Sequence, residues 1–241
     1  MAWRITSFAL LIVWSTVVAA RHGSASLDPN RATTGIRLEL VELPSVASSG
    51  ARKYRLRVEG LPRDVTYNIW TKDFGQPFKQ VLSGFRLNKA GDLVSTDNPG
   101  QTQRFADITL DPGPLAYGAV WMAAIASEDH KLSAFAKVIP YPITARDGTC
   151  SVSMELISLH GNRFLATGAG FPPGTEVDIE QRSAGQVTKR KLRVSADGRL
   201  PSDVVSHGGV GTDLTAHYAA KSPSCGPAVR YEWGVAALKR R

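Results

Sequence analysis

The side chains able to do chemistry are few and scattered. The five histidines are His22, His130, His160, His207 and His217; no two have the spacing of a helical metal motif such as His-Glu-x-x-His. None adjoins a cysteine cluster of the kind that holds zinc. The nearest approach to an acid–base or metal set is His207 and His217 flanking a glycine-rich stretch, with Asp213 between them. Either role would require the three to converge in space. Gly208-Gly209-Val210-Gly211-Thr212 lacks the Lys-Ser/Thr end of a phosphate-binding loop and reads as a flexible hairpin loop. No Gly-x-Ser-x-Gly, and no Ser-x-x-Lys with its companion motifs, marks a nucleophile. Ser127-Glu128-Asp129-His130 gathers hydroxyl, acid and base, but on successive turn positions whose side chains diverge, with too few oxygens for Ca²⁺. The sequence therefore assigns no catalytic group, metal or cofactor. A hydrolase built from His207, Asp213 and His217 is the third of three functional readings.

Cys150 and Cys225 are the whole cysteine supply. They are not spaced Cys-X-X-Cys, so a structural bridge is expected rather than a redox-active pair. Two sets of charged side chains could serve binding. On an expected strand over Lys189–Val194, Leu192 and Val194 point inward, which turns Lys189, Lys191 and Arg193 outward. Arg55 and Arg57 likewise oppose the inward Tyr54, Leu56 and Val58. Such rows could meet an anionic polymer, although protection of a strand edge is their commoner use. Trp70 falls out of phase with the inward Tyr67 and Ile69. It is expected either to stack on a sugar ring or to bury against a neighbouring domain, the second being favoured.

The elements that must carry these residues are strands. Ile36, Leu38 and Leu40 alternate with Arg37, Glu39 and Val41; Cys150, Val152, Met154 and Leu156 alternate with Ser151, Ser153 and Glu155. Period two marks half-buried strands. Val120 to Ala126 lacks the alternation and reads as a central strand covered on both faces. A hairpin turn over 127–131 joins it to the next strand. Pro140-Tyr141-Pro142 makes a stiff join. Two echoes cross that join: Gly60-Leu61-Pro62 to Trp70 returns as Gly170-Phe171-Pro172 to Glu180, a shift of 110, and Leu87 to Leu93 returns as Val194 to Leu200, a shift of 107. One small β-domain used twice accounts for both.

Gly170-Phe171-Pro172-Pro173-Gly174-Thr175-Glu176-Val177, followed by Ala196-Asp197-Gly198-Arg199-Leu200, resembles the motif pair of bacterial extracellular immunoglobulin-like modules over residues 163–220. The first half departs from it, with Arg63-Asp64 where Pro-Gly would stand. The resemblance implies a sandwich fold used for adhesion, spacing or ligand binding, and it transfers no catalytic residue. The expected fold is all-β, two tandem immunoglobulin-like β-sandwiches over 36–142 and 143–241, preceded by a flexible arm over 21–35.

Residues 1–20 read as a cleaved signal peptide. Arg4 precedes an apolar stretch, and Val18-Ala19-Ala20 supplies small residues before the cut. No later run is long and apolar enough to span a membrane, so no span is expected in the mature chain. Export, to the periplasm or the medium, would favour a Cys150–Cys225 disulfide. The net charge of +8, less the one charge of Arg4 once the signal peptide is cut, could draw an exported protein to lipid headgroups, acidic polysaccharide or released nucleic acid, but solubility is the simpler use. No nucleic acid inside a cell is an expected partner. The leading expectation is an exported, non-catalytic interaction or structural module whose partner is an unknown protein or polysaccharide at the cell surface. The second is a glycan-binding protein using Trp70, Arg55 and Arg57.

Overall fold

The computed structural model describes residues 27–44, 52–89, 92–95, 108–208 and 213–239. The expected signal peptide, residues 21–26 of the arm, and most of the Gly208–Thr212 stretch lie outside them. The chain is all-β, in four antiparallel sheets. The strands of the first half are β1 (Arg37–Glu42), β2 (Tyr54–Glu59), β3 (Tyr67–Lys72), β4 (Lys79–Leu87), β5 (Leu93–Ser95), β6 (Thr109–Leu110), β7 (Trp121–Ser127) and β8 (Ser133–Val138). They form sheets ordered β1-β2-β6 and β5-β4-β3-β7-β8. The second half comprises β9 (Ile143–Asp147), β10 (Cys150–Leu156), β11 (Arg163–Ala169), β12 (Glu176–Ser183), β13 (Gln186–Arg193), β14 (Arg199–Ser206), β15 (Thr215–Lys221) and β16 (Ala228–Glu232). Their sheets are ordered β14-β11-β10-β9 and β13-β12-β15-β16.

These orders correspond. β1-β2-β6 matches β10-β11-β14, and β4-β3-β7-β8 matches β13-β12-β15-β16; β5 and β9 are additional edge strands. Each half encloses its own apolar cluster. Leu38, Leu56 and Leu110 meet Tyr67, Ile69, Phe85 and Trp121 in the first. Val152, Met154 and Phe164 meet Val177, Ile179, Tyr218 and Tyr231 in the second.

The first echo occupies the same corner in each half. Gly60 follows β2 with φ +79°, and Gly170 follows β11 with φ +81°. A Cβ on Gly60 would overlap the Gly35 carbonyl oxygen, and one on Gly170 would overlap that of Thr149. Both carbonyls lie just before the strand that pairs with the glycine's own strand, so a close backbone approach and a left-handed φ together require glycine.

The second echo is local only. Asn88 N–H donates to the Asp92 carbonyl (2.8 Å) and Ser195 N–H to the Arg199 carbonyl (2.9 Å), so the two turns are alike. Their continuations differ. β5 pairs back onto β4, whereas β14 leaves β13 for the opposite sheet. The Asp197-Gly198 turn is therefore a crossing between sheets and not a hairpin.

The arm is docked from Leu27 onward, contrary to the expected looseness. Thr33 N–H donates to the Ser133 carbonyl (2.7 Å), Ser133 N–H donates to Thr33 Oγ1 (2.9 Å), and Leu27 is buried. β7 is central, between β3 and β8. Its Ala123 and Ile125 face the core, while Ala124 and Ala126 are covered on the other side by Leu27, Trp70, Phe78 and Phe135.

The halves meet through Gly118, whose N–H donates to the Tyr141 carbonyl (2.8 Å) and whose carbonyl accepts from Leu156 N–H (2.9 Å). Lys137 Nζ reaches both Glu155 oxygens at 2.9 Å, and Phe74 packs against the second cluster. Among the described residues no helix is long and apolar enough to cross a membrane.

Candidate functional site

The cysteines are joined. Cys150 opens β10 on its inward face and Cys225 lies in the loop before β16, with Cα atoms 6.2 Å apart. A bridge of this geometry is unstrained in reach, and no free cysteine remains among the described residues.

The three groups of the hydrolase reading do not converge. His207 is only 5% exposed, packed among Phe164, Tyr231 and Trp233. Its Nε2 shares a 2.9 Å hydrogen bond with Tyr231 Oη, and its Nδ1 has no partner. Burial pulls its pKa down to about 4 and pushes that of Tyr231 up. It is a core residue, not the loop histidine the flanking glycines implied. His217 stands on β15 between the inward Ala216 and Tyr218, so it points out from the opposite face of that sheet. Asp213 spends Oδ1 on the Thr215 N–H (2.9 Å).

Ser127, Asp129 and Lys131 form a closed local set. Hydrogen bonds from Ser127 and then Lys131 hold the Asp129 carboxyl down at about 2. Among the described residues no three His, Cys, Asp or Glu side chains are gathered to hold a metal ion.

The expected sugar platform is also taken apart. Trp70 is 7% exposed, covered by Leu27 and set edge-on to His130 with ring centroids 5.6 Å apart. It is therefore neither an open platform nor a contact between the halves. A residue 43 positions upstream covers it, which no local pattern reports. Arg55 and Arg57 are exposed on β2, on the outer face of the other sheet of that half, and cannot act with Trp70. Arg57 pairs with Glu39 at 3.8 Å; Arg55 has no ion-pair partner among the described residues.

The richest surface is the outer face of the β13-β12-β15-β16 sheet. Alternation buries Val177, Ile179, Tyr218 and Tyr231 and turns the charged residues outward. Lys189, Lys191 and Arg193 do form a column on β13, but β12 answers them with carboxylates. Lys189 meets Glu180 (3.4 Å), Lys191 meets Glu176 (3.1 Å), and Arg193 lies opposite Glu176 in register. Glu176 raises the Lys191 pKa, while Arg182 foremost, at 2.6 Å, lowers that of Glu180. The column is thus a neutralised ladder rather than a free cationic row. Toward the other edge, Arg182, His217 and Arg230 stand abreast on β12, β15 and β16. They border a trough of about 650 Å³ that is also lined by Glu180, Asp213 and Lys221. Sequence reading missed this row, because its members come together only when β12 and β15, distant in the chain, pair. A second groove, about 550 Å³, runs between the edge strands β9 and β16 with Tyr117 and Tyr231 in its walls.

No family model and no curated protein matches the chain. A crystal structure described as a tetra-tandem repeat in the extending region of a large adhesion protein is similar over 82% of this chain and 49% of that one, at 12% identity and a TM-score of 0.25. The chain thus spans about half the length of that structure. A likeness this loose carries no argument about fold or function.

Proposed function

We propose that the protein is an exported, non-catalytic binding or spacing module made of two tandem immunoglobulin-like sandwiches, over 36–142 and 143–241. The observation that carries this reading is the correspondence of strand order between the halves, with the glycine-locked corner repeated in each. One fold used twice with a hydrogen-bonded joint presents sheet faces and strand edges to partners, which is how such architectures serve adhesion and spacing. The disulfide supports export to the periplasm or the medium, because such bridges persist in oxidising compartments. The splitting of His207 from Asp213 and His217 removes the one hydrolase constellation weighed from the sequence.

The test pairs location with binding. Cell fractionation and N-terminal sequencing should find the protein outside the cytoplasm, starting at Arg21. The labelled mature protein should bind saturably to envelope preparations of the producing cell. Cytoplasmic retention with an intact Met1 overturns export. Turnover in a hydrolase panel, abolished by His217→Ala, overturns the non-catalytic reading.

A further inference from the structure

We propose that His217, Arg230 and Lys221, on the outer face of β15 and β16 beside the Glu180-paired Arg182, bind the acid groups of an anionic polysaccharide. This rests on the reading of the chain as an exported binding protein. The register carries the argument. Arg182 lies opposite His217, and His217 opposite Arg230, so Arg182 and Arg230 flank His217 with neighbouring Cβ atoms about 5 Å apart. Two arginines and a histidine side by side leave the row without an anion, whereas like charges facing each other across a sheet work against its stability. On β12 and β13 the sheet avoids this by alternating signs, through Glu176, Asp178 and Glu180. The row of Arg182, His217 and Arg230 breaks that scheme. Glu180 is engaged by both Arg182 and Lys189, Asp213 is turned to the Thr215 N–H, and Asp178 lies opposite Lys221 in register without a close ion pair. His217, Arg230 and Lys221 have no ion-pair partner among the described residues.

The next row is Glu180, Ala219 and Ala228. Ala219 points outward yet is only 4% exposed, because longer side chains wall it in. The trough thus has a methyl floor, with Arg182, His217, Lys221 and Arg230 along its walls beside the Glu180 and Asp213 carboxylates. Among the described residues no large aliphatic or benzenoid side chain lines it, so those residues offer a peptide no apolar anchor of the kind that dominates protein–protein recognition. A polymer carrying an acid group on each sugar needs none, since repeated weak ionic contacts add along its length. Arg matches a planar carboxylate or a sulfate through paired N–H donors.

The experiment is titration of the mature chain with polygalacturonate, dextran sulfate, neutral dextran and polyglutamate. At least one acidic polysaccharide should bind and neutral dextran should not; the preferred one distinguishes carboxylate from sulfate as the ligand group. The double variant His217→Ala with Arg230→Ala should weaken that binding at least tenfold, while Lys191→Ala, on the neutralised ladder, should change it less than twofold. All these side chains are exposed, and unchanged thermal melts confirm that the variants fold. The proposal is overturned if the double variant binds as well as the parent, if polyglutamate binds as tightly as the sugars, or if neither acidic polysaccharide binds. Envelope binding that survives in the double variant overturns this site and leaves the exported-module reading standing. Absent envelope binding by a parent that still takes polygalacturonate overturns the broader reading alone.

Discussion

His207 is a buried imidazole with one unsatisfied nitrogen, and that fixes how the second half responds to acid. Its folded pKa of about 4 lies below the ordinary value, so between the two values the unfolded chain binds the extra proton. Stability is full above pH 6.5 and is lost as pH falls toward 4, by about 3 kcal/mol from this group. Below pH 4 the contribution flattens. Denaturant melts of the parent and of His207→Phe across that range should diverge in slope, with the variant the shallower; parallel curves would place the proton elsewhere. Gly170 offers a second test at this scale. Ala there carries a left-handed φ costing about 1–3 kcal/mol, and its Cβ overlaps the Thr149 carbonyl oxygen. Gly170→Ala and Gly60→Ala should each lower the melting temperature of their own half, whereas Gly174→Ala, at φ +74° but with open space around it, should cost only the strain.

At the scale of elements, the bridge joins the start of β10 to the loop between β15 and β16. Closing 75 positions restricts the unfolded chain by about 4 kcal/mol in the chain-entropy picture. Replacing both cysteines with Ala should destabilise the second half by up to that amount, read as an earlier transition. Denatured, unreduced parent protein should titrate no free thiols.

Strands whose pattern is local were legible from sequence: β2 and β10 alternate strictly, and β7 reads correctly as covered on both faces. β4, β5, β9 and β14 were not anticipated: β5 and β9 are short edge strands defined by the neighbour each pairs with, and bulges shift the register along β4 and β14. Trp70 was misread for a related reason. Its phase was correctly outward, but the outer face of its sheet is roofed by Leu27, and a phase argument cannot see a roof. The Arg182, His217 and Arg230 row was invisible because register across strands is a property of the sheet and not of any segment.

For the whole molecule, the joint decides whether the halves behave as one body. Gly118 donates to the first half's exit at Tyr141 and accepts from β10 at Leu156. A Cβ there would stand 3.0 Å from the Met154 carbonyl oxygen at φ +73°, so Ala would hold a strained backbone and push β10 away by a few tenths of an ångström. Gly118→Ala should therefore loosen the pair, raising the radius of gyration in small-angle scattering while each half keeps its strand signal. An unchanged radius would show that Lys137, Glu155 and Phe74 suffice to hold the arrangement.

Under the proposed spacing or adhesive role the chain would be pulled, and the covalent loop sets how it gives. Tension entering through β9 and leaving past Trp233 runs across the sulfur bridge, so the 75 positions between Cys150 and Cys225 carry no load. When the second half yields, that segment cannot pay out, which withholds about 250 Å of extended chain. The first half has no such bypass and lengthens fully. Drawn out between a surface and a bead, the oxidised chain should show one long and one short release, and a reductant should lengthen only the short one. The bridge thus acts as a travel stop, limiting how far the terminal part of the chain can extend once its sheets have let go.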